Sequence, residues 1–173
     1  MQTFLPYASF TDSARALDKT RLGNQVKECA QILASLLGGA YLVIGEHKVK
    51  YSTGGYPAHP ATLMWKGCER SLCLYASACI HELRCRRSRA MVIYESMFLE
   101  ASNLLPNTGL PPWLGDERLH SSHRSQLKAK DPDHYRFGWT EPAGEIDYWW
   151  PTKHDGDVEA PAVIVERGPQ AEE

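Results

Sequence analysis

The stretch from Leu17 to Leu37 limits what this chain can fold into more than any other. At 100° per residue, Leu22, Val26, Cys29, Leu33, Leu36 and Leu37 fall on one stripe, the pattern of a helix with one face in a core. Asp18 stands where an N-cap is needed, and Gly38-Gly39 stands where a helix stops. Arg21, Gln25 and Glu28 form a second, polar stripe that borders the apolar one instead of opposing it. A carboxylate and a guanidinium at the edge of a core are costly unless paired or used. Two readings follow: an Arg21–Glu28 pair on a solvated face, or a chemical site.

Around that helix the chain reads as mainly α, a compact single-domain helical bundle with long ordered loops. Residues 1–10 are too apolar to float free, and Thr11 or Asp12 can cap a short helix to Ala16. Tyr41–Ile44 and Val49–Tyr51 suggest a hairpin inside an ordered loop over 40–58. Pro60 suits the first turn of a long helix from about 60 to 84, with Leu63, Met64, Cys68, Leu72, Tyr75, Cys79 and Leu83 as its seam. A helix over about 88–105 is broken by Pro106 to Pro112, and Asp116 caps another over 116–129, ended by Asp131-Pro132. Residues 131–155 form an aromatic, turn-rich covering region. The domain is thus 1–155, followed by an acidic, flexible tail over 156–173.

The net charge of −2 does not announce a nucleic-acid binder, but it is unevenly spread. The tail holds five acids and one Arg, which leaves 18 basic and 16 acidic residues in 1–155. Arg84, Arg86, Arg87 and Arg89 cluster, either as a phosphate patch or as a helix end favoured by its dipole. No membrane span and no secretory signal is visible. The five cysteines, Cys29, Cys68, Cys73, Cys79 and Cys85, fall in predicted helices and read as reduced core thiols of a cytoplasmic protein. His120, His123 and Arg124 share a helix face, but no third ligand completes a metal site there. A phosphate- or sugar-contacting face of Ser122, His123 and Arg124 is set against an ordinary polar surface helix. The run Tyr148-Trp149-Trp150 either stacks on an extruded nucleotide or closes the core.

Several motifs taken together resemble the pyrimidine-dimer DNA glycosylase family of the phage endonuclease V type. They are Met1-Gln2-Thr3-Phe4-Leu5-Pro6-Tyr7, Ser13-Ala14-Arg15-Ala16-Leu17-Asp18 and Arg21-Leu22-x-x-Gln25-x-x-Glu28-x-x-Gln31-Ile32-Leu33. Later come His59-Pro60-Ala61-x-x-Met64-Trp65, the stretch from Pro111 to Ser125, Lys130-Asp131-Pro132-x-His134-Tyr135 and Tyr148-x-Trp150-Pro151. The set spans about residues 1–152.

The resemblance implies a DNA N-glycosylase acting on a damaged or modified pyrimidine, the cyclobutane dimer above all, with abasic-site lyase activity through an N-terminal amine. Its partner is double-stranded DNA, and it needs no cofactor and no metal; we expect a monomer. The family's nucleophile is an α-amine, whose pKa near 8 leaves a useful neutral fraction at physiological pH. Glu28 matches the catalytic carboxylate, and Met1 is the first candidate for the amine. Gln2 departs from the small residue that permits removal of the initiator Met. Either Met1 offers the amine, or the enzyme is monofunctional and Glu28 activates a water; Lys19 or Lys27 is a further imine candidate. DNA contacts are implied at Arg21, Gln25, Lys27, Gln31, His59, Trp65, His120, Ser122, His123 and Arg124. The rival functions are a non-catalytic DNA-binding protein on the same scaffold and a small interaction protein using its acidic tail.

Overall fold

The computed structural model describes residues 2–38, 41–44, 47–50, 57–86, 92–136 and 138–151. Met1, Arg87, Arg89 and the tail from 156 onward lie outside the described residues. Helix α1, Phe10–Ala16, is capped by Ser9, whose hydroxyl accepts the Asp12 N–H at 3.2 Å. The cap thus falls earlier than the expected Thr11 or Asp12. Helix α2, Lys19–Leu36, is capped by Asp18 as its spacing suggests, with the carboxylate accepting the Arg21 N–H at 2.9 Å. The apolar stripe of α2 is in the core, where Leu22, Val26, Cys29 and Leu33 are fully buried. Strands β1, Tyr41–Ile44, and β2, His47–Lys50, pair antiparallel, with Tyr41 opposite Lys50.

The expected helix over 60–84 is two helices, α3, Pro60–Leu63, and α4, Glu69–Cys85. Gly67 breaks it with φ +80°, a conformation that a side chain disfavours. The break has a packing reason. It drops Trp65 into the core, edge-on to Trp113 at 5.0 Å and parallel to Tyr75 at 6.2 Å. The Trp65 indole N–H donates to Thr3 Oγ1 at 3.0 Å, and that of Trp113 donates to the Met64 carbonyl at 2.8 Å. The apolar seam continues across the break, so periodicity alone reads the two pieces as one.

Helix α5, Val92–Leu104, packs on α4, and α6, Glu117–Lys130, is capped by Asp116. Helices α1 and α2 also pack on α4, so α4 is the centre of the bundle. Cys29, Cys73 and Cys79 are buried free thiols, and burial pushes those of Cys73 and Cys79 up to about 12. Cys85 is exposed and Cys68 lies at the α4 cap, which corrects the reading of all five as core thiols. In the Arg cluster, Arg84 pairs with Glu95, while Arg86 pairs with Glu82 and donates to the carbonyls of Leu17 and Arg15. These two arginines therefore fasten helix ends to the body. No helix among the described residues is long and apolar enough to cross a membrane.

Candidate functional site

Residues 2–6 have neither helix nor strand structure, yet all five are buried, and Gln2, Thr3, Phe4 and Leu5 have no relative exposure above 8%. Buried peptide groups must find partners. Here the partners are side chains from the helices on either side. From α2, Gln25 accepts the Phe4 N–H at 2.7 Å and donates to the Gln2 carbonyl at 3.1 Å. From α4, the Tyr75 hydroxyl donates to the Phe4 carbonyl at 2.6 Å. From α6, His123 Nδ1 accepts the Leu5 N–H at 2.9 Å, His120 Nδ1 meets the Leu5 carbonyl at 2.7 Å, and Arg124 donates to the Pro6 carbonyl at 2.8 Å. The segment is thus a filling between α6 and the α2–α4 layer.

The first of these residues ends at Glu28. The Gln2 N–H donates to Glu28 Oε2 at 2.5 Å. Burial raises the Glu28 carboxyl above its ordinary value; the Gln2 hydrogen bond, the charged chain terminus and Lys130 pull it back in part. Glu28 is half-buried at the border of the core, where the polar stripe was expected. Its stripe-mate Arg21 does not pair with it. Arg21 binds Asp18 at 2.6 Å, donates to the Lys130 carbonyl at 3.2 Å and lies over the Tyr135 ring at 5.9 Å. The Asp18 carboxyl, although disfavoured by burial, is held down at about 2 by Arg21 and Tyr135.

An aromatic rail runs outward from this point. His123 is edge-on to Tyr148 at 5.8 Å, Phe4 is 6.4 Å from Tyr148, Tyr148 is 5.7 Å from Trp150, and Trp150 is 5.9 Å from His59. Burial raises the Tyr148 phenol to about 12, helped by the negative charge of Glu28. The phenol is therefore protonated at physiological pH. Burial, and after it the charged chain terminus, lowers the His59 imidazole. His59 also caps α3, its Nδ1 accepting the Ala61 N–H at 3.0 Å.

The expected site residues separate into two groups. Lys27 and Gln31 are exposed on α2 beside half-buried Glu28, and Arg21 and His59 are half-buried. Gln25, Trp65, His120, Ser122, His123 and Arg124 are buried. The polar atoms of this second group are occupied within the chain. The Ser122 hydroxyl donates to the Leu119 carbonyl and accepts the Trp149 N–H, and Arg124 is further held by Glu117 and by Glu141 at 2.5 Å. The phosphate-contacting face expected at Ser122, His123 and Arg124 is turned inward onto residues 5 and 6. Trp65 is core, not a base-stacking surface. Trp149 and Trp150 are both half-buried against the core.

His123 shows why charge could not be its contribution. Burial drives its pKa down to about 3, with His120 adding to the effect, so the ring is neutral at physiological pH. The unfolded chain takes up a proton near pH 6.5, whereas the folded site resists until about 3. Between those values the unfolded state binds more protons, so stability falls as pH drops through that window. We expect His123→Gln to flatten this part of the stability–pH curve in urea titrations; an unchanged slope would mean that the window belongs to other groups.

Sequence reasoning missed Gln2 as a site residue and treated it only as an obstacle to Met removal. It also left Tyr148 undivided from the two indoles. Neither residue carried a local signal, because each acquires its place from contacts across most of the chain.

A family model described as pyrimidine dimer DNA glycosylase matches residues 1–92, a span that contains α1 to α4 and Glu28. No curated protein and no solved structure matches the chain.

Proposed function

The chain belongs to the pyrimidine dimer DNA glycosylase family, and from this we propose that it cleaves the N-glycosidic bond of a damaged or modified pyrimidine in duplex DNA, with Glu28 as the catalytic carboxylate. The observation that carries this reading is the 2.5 Å hydrogen bond between the Gln2 nitrogen and Glu28. It brings Gln2, the neighbour of the candidate amine at Met1, against a half-buried carboxylate. Such a carboxylate can take a proton from the attacking group and stabilise the positive charge that develops on the sugar. Met1 is one peptide unit from the Glu28-bound nitrogen, and its neutral amine would attack C1′ and form a Schiff base with the opened sugar. Abasic-site lyase activity follows from that imine by β-elimination. A water activated by Glu28 gives the monofunctional alternative.

The exposed Lys27 and Gln31, one helical turn apart on α2, supply backbone contacts beside Glu28. Arg21, held in place by Asp18, lies on the same helix. The buried Gln25, His120, His123 and Arg124 act by holding residues 2–6, not by touching DNA. The extruded nucleotide lies along the Tyr148–Trp150–His59 rail, which offers aromatic faces for stacking.

The test is borohydride trapping on duplexes bearing a thymine dimer or an abasic site, with mass spectrometry of the adduct. An adduct on Met1, or on Gln2 if Met1 has been removed, supports the amine mechanism. An adduct on Lys19 or Lys27 moves the nucleophile. Glycosidic cleavage without any adduct supports the water mechanism. Neither adduct nor cleavage on both duplexes overturns the dimer-cleaving function.

A further inference from the structure

A carboxylate that works on DNA has to stand against a polyanion. If Glu28 meets duplex DNA, as the proposed function has it, the phosphates on either side of the target nucleotide repel it, the more so because it is half-buried and water screens it poorly. Cations are needed around Glu28, and only cations not already spent on another carboxylate can serve a phosphate.

The arginines are spent. Arg21, on the same polar stripe as Glu28, is bound to Asp18 at 2.6 Å with Asp131 at 3.9 Å. Arg124 is shared by Glu117 and Glu141, and Arg118 is held by both carboxylate oxygens of Asp116. Lys27 and Lys130 are different. Both are exposed, and among the described residues neither ammonium has an ion pair or a hydrogen bond.

The two lysines come to Glu28 from different elements. Lys27 precedes it on α2. Lys130 is the last residue of α6, and the fold delivers it: the Arg21 guanidinium donates to the Lys130 carbonyl at 3.2 Å, which fastens the end of α6 to the polar stripe of α2. Glu28 lies two turns further along that stripe, about 10 Å by helical rise. The four-carbon stem of a lysine and the side chain of a glutamate together cover such a distance. The positive charge of Lys130 is felt at Glu28, whose carboxyl it helps to pull down against the effect of burial.

We propose that Lys130 binds the backbone phosphate on one side of the target nucleotide while Lys27 binds the phosphate on the other, so that the damaged strand is gripped astride Glu28. The ligand is a pair of successive phosphodiesters on one strand. The grip reads no base; it sets which nucleotide stands over the carboxylate. It also gives the end of α6 a task that the chain order does not suggest, because the residues that the resemblance assigns to DNA on this helix, His120, Ser122, His123 and Arg124, are buried.

The test is binding of the full chain to a duplex carrying a tetrahydrofuran abasic analogue, measured over a range of salt concentrations. Lys130→Met keeps the aliphatic stem and removes the charge. It should lower affinity about tenfold at low salt and reduce the slope of log affinity against log salt by about 0.9, the share of one phosphate contact. Lys130→Arg should restore both. The duplex is then made with a neutral methylphosphonate at the phosphate 5′ or 3′ of the analogue. On one of these two duplexes Lys130→Met should cost nothing further, and on the other it should cost as much as before. An unchanged affinity and slope in Lys130→Met overturn the proposal, and they are the result expected if the lysine serves only the dipole at the end of α6. A loss that persists with both flanking phosphates neutralised overturns it too. Base release is not read, so failure of the glycosylase chemistry leaves this result untouched. A wild-type protein whose duplex binding ignores salt overturns the DNA reading, and the grip with it.

Discussion

Glu28→Gln should lower glycosidic cleavage by about a thousandfold while leaving duplex affinity close to that of the unmodified protein. Glutamine keeps the shape of the side chain, and its carbonyl oxygen can still accept the Gln2 N–H that Glu28 holds at 2.5 Å. The start of the chain stays seated, and only the charge and the basicity are lost. Burial has already raised the Glu28 carboxyl, so it is a stronger base than an exposed carboxylate and has more to lose. The raised value also sets the acid limb of the rate profile: cleavage should fall on acidification at a pH above the range of an ordinary carboxylate. Single-turnover kinetics and filter binding on one dimer duplex measure both quantities. Cleavage at the wild-type rate in the variant would remove Glu28 from the chemistry, whereas duplex binding without cleavage by either protein would point to a DNA-binding protein on this scaffold.

Gln25→Leu should lower the stability of the protein by about 2–6 kcal/mol. The variant leaves the Phe4 N–H and the Gln2 carbonyl without partners, and each stranded group costs about 1–3 kcal/mol. Against a typical total of about 5–15 kcal/mol, that is a large share. Urea denaturation reads the loss, and hydrogen exchange should show the Phe4 amide opening well before the core of α4. The resemblance alone assigns Gln25 to DNA. If that were its role, the variant would keep its denaturation midpoint and lose duplex affinity instead.

The contrast between these two residues marks what can be read from the sequence. Helix α2 was legible because its signals are local: an Asp18 cap, an apolar stripe from Leu22 to Leu33 and a glycine stop. The same holds for the Asp116 cap of α6. The α3–α4 break was not legible, because Met64, Cys68 and Leu72 keep helical spacing through it, and the force that breaks it is the burial of Trp65 between Trp113 and Tyr75. In the site, the grouping of His120, His123 and Arg124 on one face was legible as a concentration of chemistry. Its task was not, because the partners are main-chain groups of Leu5 and Pro6, and a carbonyl or N–H leaves no mark in a sequence. Glu28 could be singled out as chemistry only through the resemblance, since periodicity by itself favoured an ordinary surface pair with Arg21.

The inlaid segment also carries a consequence for how the molecule is made. Gln2 and Leu5 are made well before the imidazole that clamps them, which belongs to His123, 121 and 118 positions later. Local helices such as α2 can form while synthesis continues, but contacts of this sequence separation wait for the last helix to emerge. Until then the opening residues have only the partners that α2 and α4 supply, Gln25, Glu28 and Tyr75, and lack the α6 side of their seat. We therefore expect closure of this clamp to come late in folding, and a nascent or truncated chain that lacks α6 to hold residues 2–6 and Glu28 without the contacts from His120, His123 and Arg124.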